Sequence, residues 1–198
     1  MSSPEAKRTG RRPGTTETRQ RIAAAAAAQF AELGYEGATF RRIATAAGVD
    51  PALVVHFYGS KESLFRKVMT LPEAVADGLA AIALRPEHAR GRALAELVVA
   101  ALESPVSRPI VLGRIRSAAT HPDAAALVRE TVTRDLHRLT SAITEDRPET
   151  RAVLIGSHLV GIALARYVVL VEPLASMPPD DVVELLAPTF QRFLAEPL

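Results

Sequence analysis

The strongest constraint on the fold is the punctuation of one stretch, "TFRRIATAAGVDPALVVHFYGS", Thr39 to Ser60. Thr39 reads as a helix cap. Phe40, Ile43, Ala44 and Ala47 follow at the i, i+3, i+4, i+7 spacing of a buried helical face, and Gly48 is the stop. Asp50 caps again, Pro51 takes the first helical position where its missing N–H is harmless, and Gly59 ends the segment after about two turns. A connection as short as Ala47-Gly48-Val49-Asp50 sets a sharp crossing angle between the two helices. That is a helix-turn-helix, which presents its second helix to the major groove of DNA.

Helical signals run through the rest of the chain, no convincing strand alternation occurs, and alanine and leucine dominate, so the expected fold class is all-α. A first helix from about Thr16 to Leu33 carries Ile22, Ala26, Phe30 and Leu33 on one side and stops at Gly34. Ser60 caps a fourth helix that continues through Leu64, Phe65 and Val68 toward Ala83, bent at Pro72. Others are predicted near 87–103, 109–120, 122–145, 149–171 and 179–195. The first three helices close a small core from Ile22, Phe30, Phe40, Ile43, Val54, Phe57 and Tyr58. The chain therefore divides into a basic arm without periodicity, 1–14, expected to be disordered, a helix-turn-helix domain, 15–67, and a larger helical domain, 68–198.

Charge follows the same division. Residues 1–67 hold 11 Lys or Arg against 6 Asp or Glu, whereas 68–198 hold 13 against 16, so only the small domain is suited to a polyanion. With Val54, Phe57 and Tyr58 turned inward, Ala52, Val55 and His56 face outward. Small apolar and neutral polar groups of this kind can enter a groove roughly 12 Å wide and touch thymine methyls or base edges. Arg41 and Arg42 stand in the first turn after Thr39, where the helix dipole disfavours cations. A DNA phosphate at the Thr39 hydroxyl would reverse that and leave Arg41 free for a guanine edge. Lys61, behind Ser60, repeats the arrangement. In the arm, Lys7, Arg8, Arg11 and Arg12 could add a salt-dependent contact in an adjacent minor groove.

The absence of cysteine excludes disulfides, thiol catalysis and cysteine zinc sites, and the polar N-terminus has no apolar core of a secretory signal, so a cytoplasmic protein is expected. The segment Val153 to Val171 is long enough for a membrane span but contains His158 and Arg166, and a charge near a membrane helix centre costs about 2.5–3.5 kcal/mol. It is read as a buried helix, with no membrane partner. It is apolar nearly all round, and the last helix is amphipathic through Val182, Val183, Leu185, Leu186, Phe190 and Phe193, so a second subunit is a natural cover for both. Metal-spaced clusters, a glycine phosphate loop and a nucleophile elbow are all missing, which leaves no enzyme, cofactor or metal expectation.

Residues Thr18 to Phe65, with Phe-x-x-x-Gly-Tyr, Thr-x-x-x-Ile-Ala, Ala-Gly-Val, an aromatic pair and Ser-Lys-Glu in order, resemble the N-terminal DNA-binding domain of the tetracycline-repressor (TetR) family. The resemblance implies DNA contacts from Thr39, Arg41 and Lys61, and a recognition face of Pro51, Ala52, Leu53, Val55 and His56; the expected DNA-binding residues also include Arg42 and Tyr58. The chain departs from the family where the usual tyrosine and histidine of this helix are Val55 and Phe57, so His56 does not inherit the family histidine's role. Leu159 to Leu194 resembles a regulatory domain of the family, which implies that 68–198 binds a small effector and dimerises through a four-helix bundle built from helices near 149–171 and 179–195. Candidate ligand contacts are Arg114, His121, His158 and Tyr167, with His88 and Arg166 behind them. The expected function is a homodimeric, ligand-responsive regulator, most simply a repressor, on a palindromic double-stranded operator. The alternative is a helical protein that sequesters small molecules and binds DNA incidentally.

Overall fold

The computed structural model describes residues 13–198, which form helices and turns with no strand among them. The basic arm, including Lys7, Arg8, Arg11 and Arg12, lies outside the described residues.

Helix α1, Pro13–Gly37, starts a few residues earlier than expected and runs past the predicted stop. Gly34 does interrupt it: at φ 68 and ψ −176 its backbone is not helical, and a short turn to Gly37 resumes beyond it. That offset delivers Tyr35 to the core, stacked on Phe30 with centroids 5.9 Å apart and edge-on to Phe65 at 5.1 Å. Phe30 and Phe65 meet edge to face at 4.9 Å. Such aromatic pairs add about 0.5–1.5 kcal/mol each beyond the area they bury.

Helices α2, Phe40–Ala47, and α3, Pro51–Tyr58, have the predicted bounds and caps. Thr39 Oγ1 accepts from Arg42 N at 3.3 Å, and Asp50 Oδ1 accepts from Ala52 N at 2.7 Å. Gly48 takes the left-handed conformation, φ 63 and ψ 42, that ends α2. Helix α4, Lys61–Val68, is capped by Ser60 as expected and adds Leu64, Phe65 and Val68 to the same core. It does not continue to Ala83. The chain leaves the helix at Met69, and α5, Glu73–Ala83, begins anew after Pro72. Pro72 has no N–H to carry the helical ladder and disfavours helical geometry in the residue before it.

The larger domain follows with α6, Arg90–Glu103, α7, Ser107–Ala118, α8, Pro122–Glu130, α9, His137–Ile143, α10, Pro148–Leu164, and α11, Pro179–Ala195. Helices α8 and α9 form one rod through the wider π turn Thr131–Leu136, and α10 extends through a second π turn, Ala165–Val169. Its core packs Leu94 and Val99 of α6 against Val182, Leu186, Phe190 and Leu194 of α11, with Ile155 of α10. At Gly91, α6 lies so close to α11 that an added Cβ would meet Gln191 N at 2.4 Å and Ala187 O at 2.5 Å. Arg151, only 2% exposed, ties the chain end down by donating to Phe193 O at 2.6 Å and Glu196 O at 2.8 Å and by pairing with Asp146.

The segment read as a buried helix is only partly so. Pro148–Val169 is long and apolar enough to cross a membrane, yet much of it is not buried within the protomer. Its two arginines, Arg151 and Arg166, are buried against protein groups. Its exposed positions include an outer stripe, Val153, Ser157, Gly161 and Leu164, and Val169 beyond it, and Leu185 of α11 is exposed as well.

Candidate nucleic-acid interface and regulatory cavity

The angle between α2 and α3 is held from outside the turn. Arg21 of α1 donates Nη2 to Ala47 O and, at 3.1 Å, to Gly48 O, occupying carbonyls that the end of α2 leaves free. Nothing in the local sequence marks Arg21 for this role, because the contact spans a separation of 26 residues. Val54 is fully buried and Tyr58 is 6% exposed, so α3 is anchored by one side. On its other side Pro51, Ala52, Leu53, Val55 and His56 are exposed together, with Leu53 at 38% and Val55 at 48%.

Tyr58 belongs to the core and not to the outer face. Its hydroxyl donates to Arg19 O at 2.9 Å, and Arg19 stands over its ring. Although expected among the DNA-binding residues, Tyr58 is turned away from the outer face of α3. Lys61 is also less free than its sequence position implied. Its ammonium sits 4.4 Å from the Tyr35 ring centroid and donates to Glu36 O at 3.4 Å, and burial pushes its pKa down against the opposing pull of Glu36. The carbonyls at the end of α1 and an aromatic face draw the cation back from solvent.

Arg41 and Arg42 are different. Both are exposed in the first turn of α2, which contains no acidic residue, and neither guanidinium has an ion pair among the described residues. Thr39, Arg41, Arg42 and the outer side of α3 therefore form one continuous exposed surface of cationic, small apolar and neutral polar groups. A duplex can be met there by phosphate contacts from α2 and base-edge contacts from α3.

The reading head is joined to the larger domain through α1 and α7 and through two side-chain contacts. Tyr35 stacks on His121 with centroids 3.5 Å apart, and Arg66 pairs with Asp123 at 2.5 Å. Glu62, His121 and Asp123 bring their potential ligand atoms within 4.8 Å of one another, a proximity invisible in their spacing along the chain. The Asp123 carboxylate is taken by Arg66 and His121 Nδ1 accepts from Asp123 N, so these groups serve the domain contact and the start of α8.

Inside the larger domain lies a cavity of about 200 Å³ bounded by the Thr70–Pro72 turn and by α5 to α8, the 131–136 turn and α10. Leu79, Leu97, Val98, Val111, Ile115, Leu127 and Leu159 make most of its wall apolar. Of the four ligand-contact candidates only Arg114 lines it. The other three lie elsewhere and do not line it. His121 is at the domain contact, and His158 lies on α10 edge-on to Phe193. Tyr167 donates to Glu103 at 2.6 Å and accepts from Arg166 Nε at 2.9 Å. His88 is exposed, and Arg166 is held by Leu174 O and Glu103.

Comparisons with known proteins bear on both halves. Residues 22–68 match the family described as "Bacterial regulatory proteins, tetR family", and residues 89–194 match "Tetracyclin repressor-like, C-terminal domain". A TetR-family regulator of Streptomyces coelicolor is 35% identical, with 93% of this chain and 98% of that one covered and a TM-score of 0.64. A transcriptional regulator of a Rhodococcus species is 25% identical over 90% and 98% of the two chains, at 0.64. Among curated proteins, the HTH-type transcriptional repressor AcnR of Corynebacterium glutamicum is 48% identical over 50 residues, 25% of this chain and 27% of that protein. The chain thus matches about a quarter of the curated relatives' length.

Proposed function

Because the chain belongs to the tetR family of bacterial regulatory proteins, we propose that it acts in the cytoplasm as a homodimeric repressor that reads a palindromic operator and releases it when a small molecule fills the cavity. It is a DNA-binding regulator of transcription and not an enzyme. The observation that carries the proposal is the exposed surface of Arg41, Arg42, Ala52, Leu53, Val55 and His56, two cations without an ion pair beside a helix face that nothing among the described residues covers. Thr39 and Pro51 complete it at the two helix starts, with Lys61 as a flanking phosphate contact once its ammonium leaves the Tyr35 ring. Repression as the direction of control is supported by AcnR, a transcriptional repressor that resembles this chain over 50 residues.

Two reading heads require a dimer, and the outer stripe of α10 with Leu185 supplies the surface for it. Val153 is 53% exposed, Leu164 40% and Leu185 62%, an unusual concentration for helices otherwise packed on a core. A twofold axis through this stripe pairs each α10 and α11 with their copies, burying the same patch on both subunits. Leu185→Arg places two cations against each other across that axis. It is expected to convert the dimer to a monomer by sedimentation analysis while leaving the helical circular dichroism intact; a dimer of unchanged affinity would move the interface elsewhere.

Filling the cavity favours whichever dimer arrangement holds the effector better, and operator affinity falls by no more than that difference. Selection from a pool of random duplexes tests the DNA reading directly. The expected product is a twofold-symmetric sequence with half-sites about one helical turn, roughly 34–36 Å, or a multiple apart. Recovery of duplexes with no shared sequence would overturn it.

A further inference from the structure

Arg114 is the one charged candidate that reaches the cavity, and its surroundings are incomplete. It is 7% exposed, its Nε donates to Met69 O at 2.5 Å and its Nη1 to Thr131 Oγ1 at 2.9 Å. A guanidinium offers five N–H donors, so most of them remain unused, and Nη2 has no hydrogen-bond partner among the described residues. No ion pair is made either. The acids that act on it most, Asp135 and Glu130, are both bound to Arg134. Burial pushes the guanidinium down to about 10 in spite of those two carboxylates. The guanidinium thus has two hydrogen bonds but no ion pair among the described residues, and although Glu130 and Asp135 line the same cavity, both are engaged by Arg134.

We infer that the effector of this cavity is an apolar monocarboxylate whose anionic group pairs with Arg114 while its hydrocarbon body fills the space among Leu97, Val111, Ile115 and Leu159. The inference rests on reading the cavity as the effector site and adds the chemical class of its occupant. Size and charge set the class. A dry cavity of about 150 Å³ holds benzene, so about 200 Å³ holds one ring with a short substituent or a medium-length chain. One guanidinium matches one carboxylate through two parallel hydrogen bonds, whereas a phosphate monoester would bring a second charge with no counterpart. A bound carboxylate also competes for the guanidinium that holds Met69 O, the carbonyl just past the end of α4, and so acts on the reading head.

Calorimetric titration of the full-length protein with 4-ethylbenzoate and octanoate, each beside its primary amide, tests the assignment. Each acid is expected to bind at least about tenfold more tightly than its amide. Arg114→Met is expected to abolish the preference and Arg114→Lys to restore part of it. The comparison of acid with amide needs no variant, so it stands even if Arg114→Met does not fold. Amides that bind as well as the acids, or acids that give no binding at millimolar concentration, overturn the inference. Operator binding by the ligand-free protein, measured in parallel, separates that failure from a failure of the regulator reading, which predicts specific duplex binding whatever the probes do.

Discussion

Gly91→Val is expected to destabilise the protein by about 3 kcal/mol or more, lowering the melting temperature by roughly 6–12 °C. The atoms a side chain would strike, Gln191 N at 2.4 Å and Ala187 O at 2.5 Å, are backbone of α11 and cannot rotate away. Relief requires α6 and α11 to separate, which exposes Leu94, Phe190 and Leu194. The same separation strains the hydrogen bond from Gly91 N to Gln191 Oε1, 2.8 Å long. Gly78→Ala provides the contrast. There the added carbon meets Leu97 Cδ1 at 2.7 Å, the flexible end of a side chain, so a loss well under that of Gly91→Val is expected. Thermal melts of the two variants that proved equal would refute the close α6–α11 approach.

The double variant Arg41→Ala, Arg42→Ala is expected to leave stability within about 0.5 kcal/mol of the parent, because neither side chain has an ion pair among the described residues to lose. Operator affinity should respond strongly. A base-edge contact is worth about 1–3 kcal/mol and each is made twice in a symmetric complex, so a loss of roughly 10²- to 10⁴-fold follows. The dependence of affinity on salt should become shallower by about one unit of slope for each phosphate contact removed. Fluorescence anisotropy on the selected duplex across a salt series measures both. Unchanged affinity would remove the start of α2 from the interface.

The parts of the structure that were legible in the amino-acid sequence are those decided over a few neighbouring residues. Thr39, Gly48, Asp50-Pro51 and Ser60 set helix ends through their own backbone and side-chain chemistry, and α2, α3 and the start of α4 appear where those residues require. The outward face of α3 was readable because the inward positions are large and apolar. What escaped was whatever depends on distant chain meeting it. Lys61 was read as a DNA contact behind the Ser60 cap, and nothing near it in the sequence announces that its ammonium meets Glu36 O and the Tyr35 ring. The fourth helix was expected to bend at Pro72, but the loop it opens instead helps to bound the cavity. His121, His158 and Tyr167 were plausible ligand contacts as residue types, yet a pocket wall is assembled from helices far apart in the chain, and composition does not say which side of a helix faces it. Arg114 qualified by its place on α7, between the end of α4 and the π turn after α8.

The stack of Tyr35 on His121 joins the border between the two domains to the aromatic core, with Arg66 and Asp123 paired at its surface. Ala124 of α8 is already counted in the aromatic core around Phe30. Heat should therefore dissolve both domains at once, and scanning calorimetry should record one endotherm where two loosely tethered modules would give two. A tilt of the helix-turn-helix relative to the rest of the chain should therefore pull on α8, through His121 and Ala124.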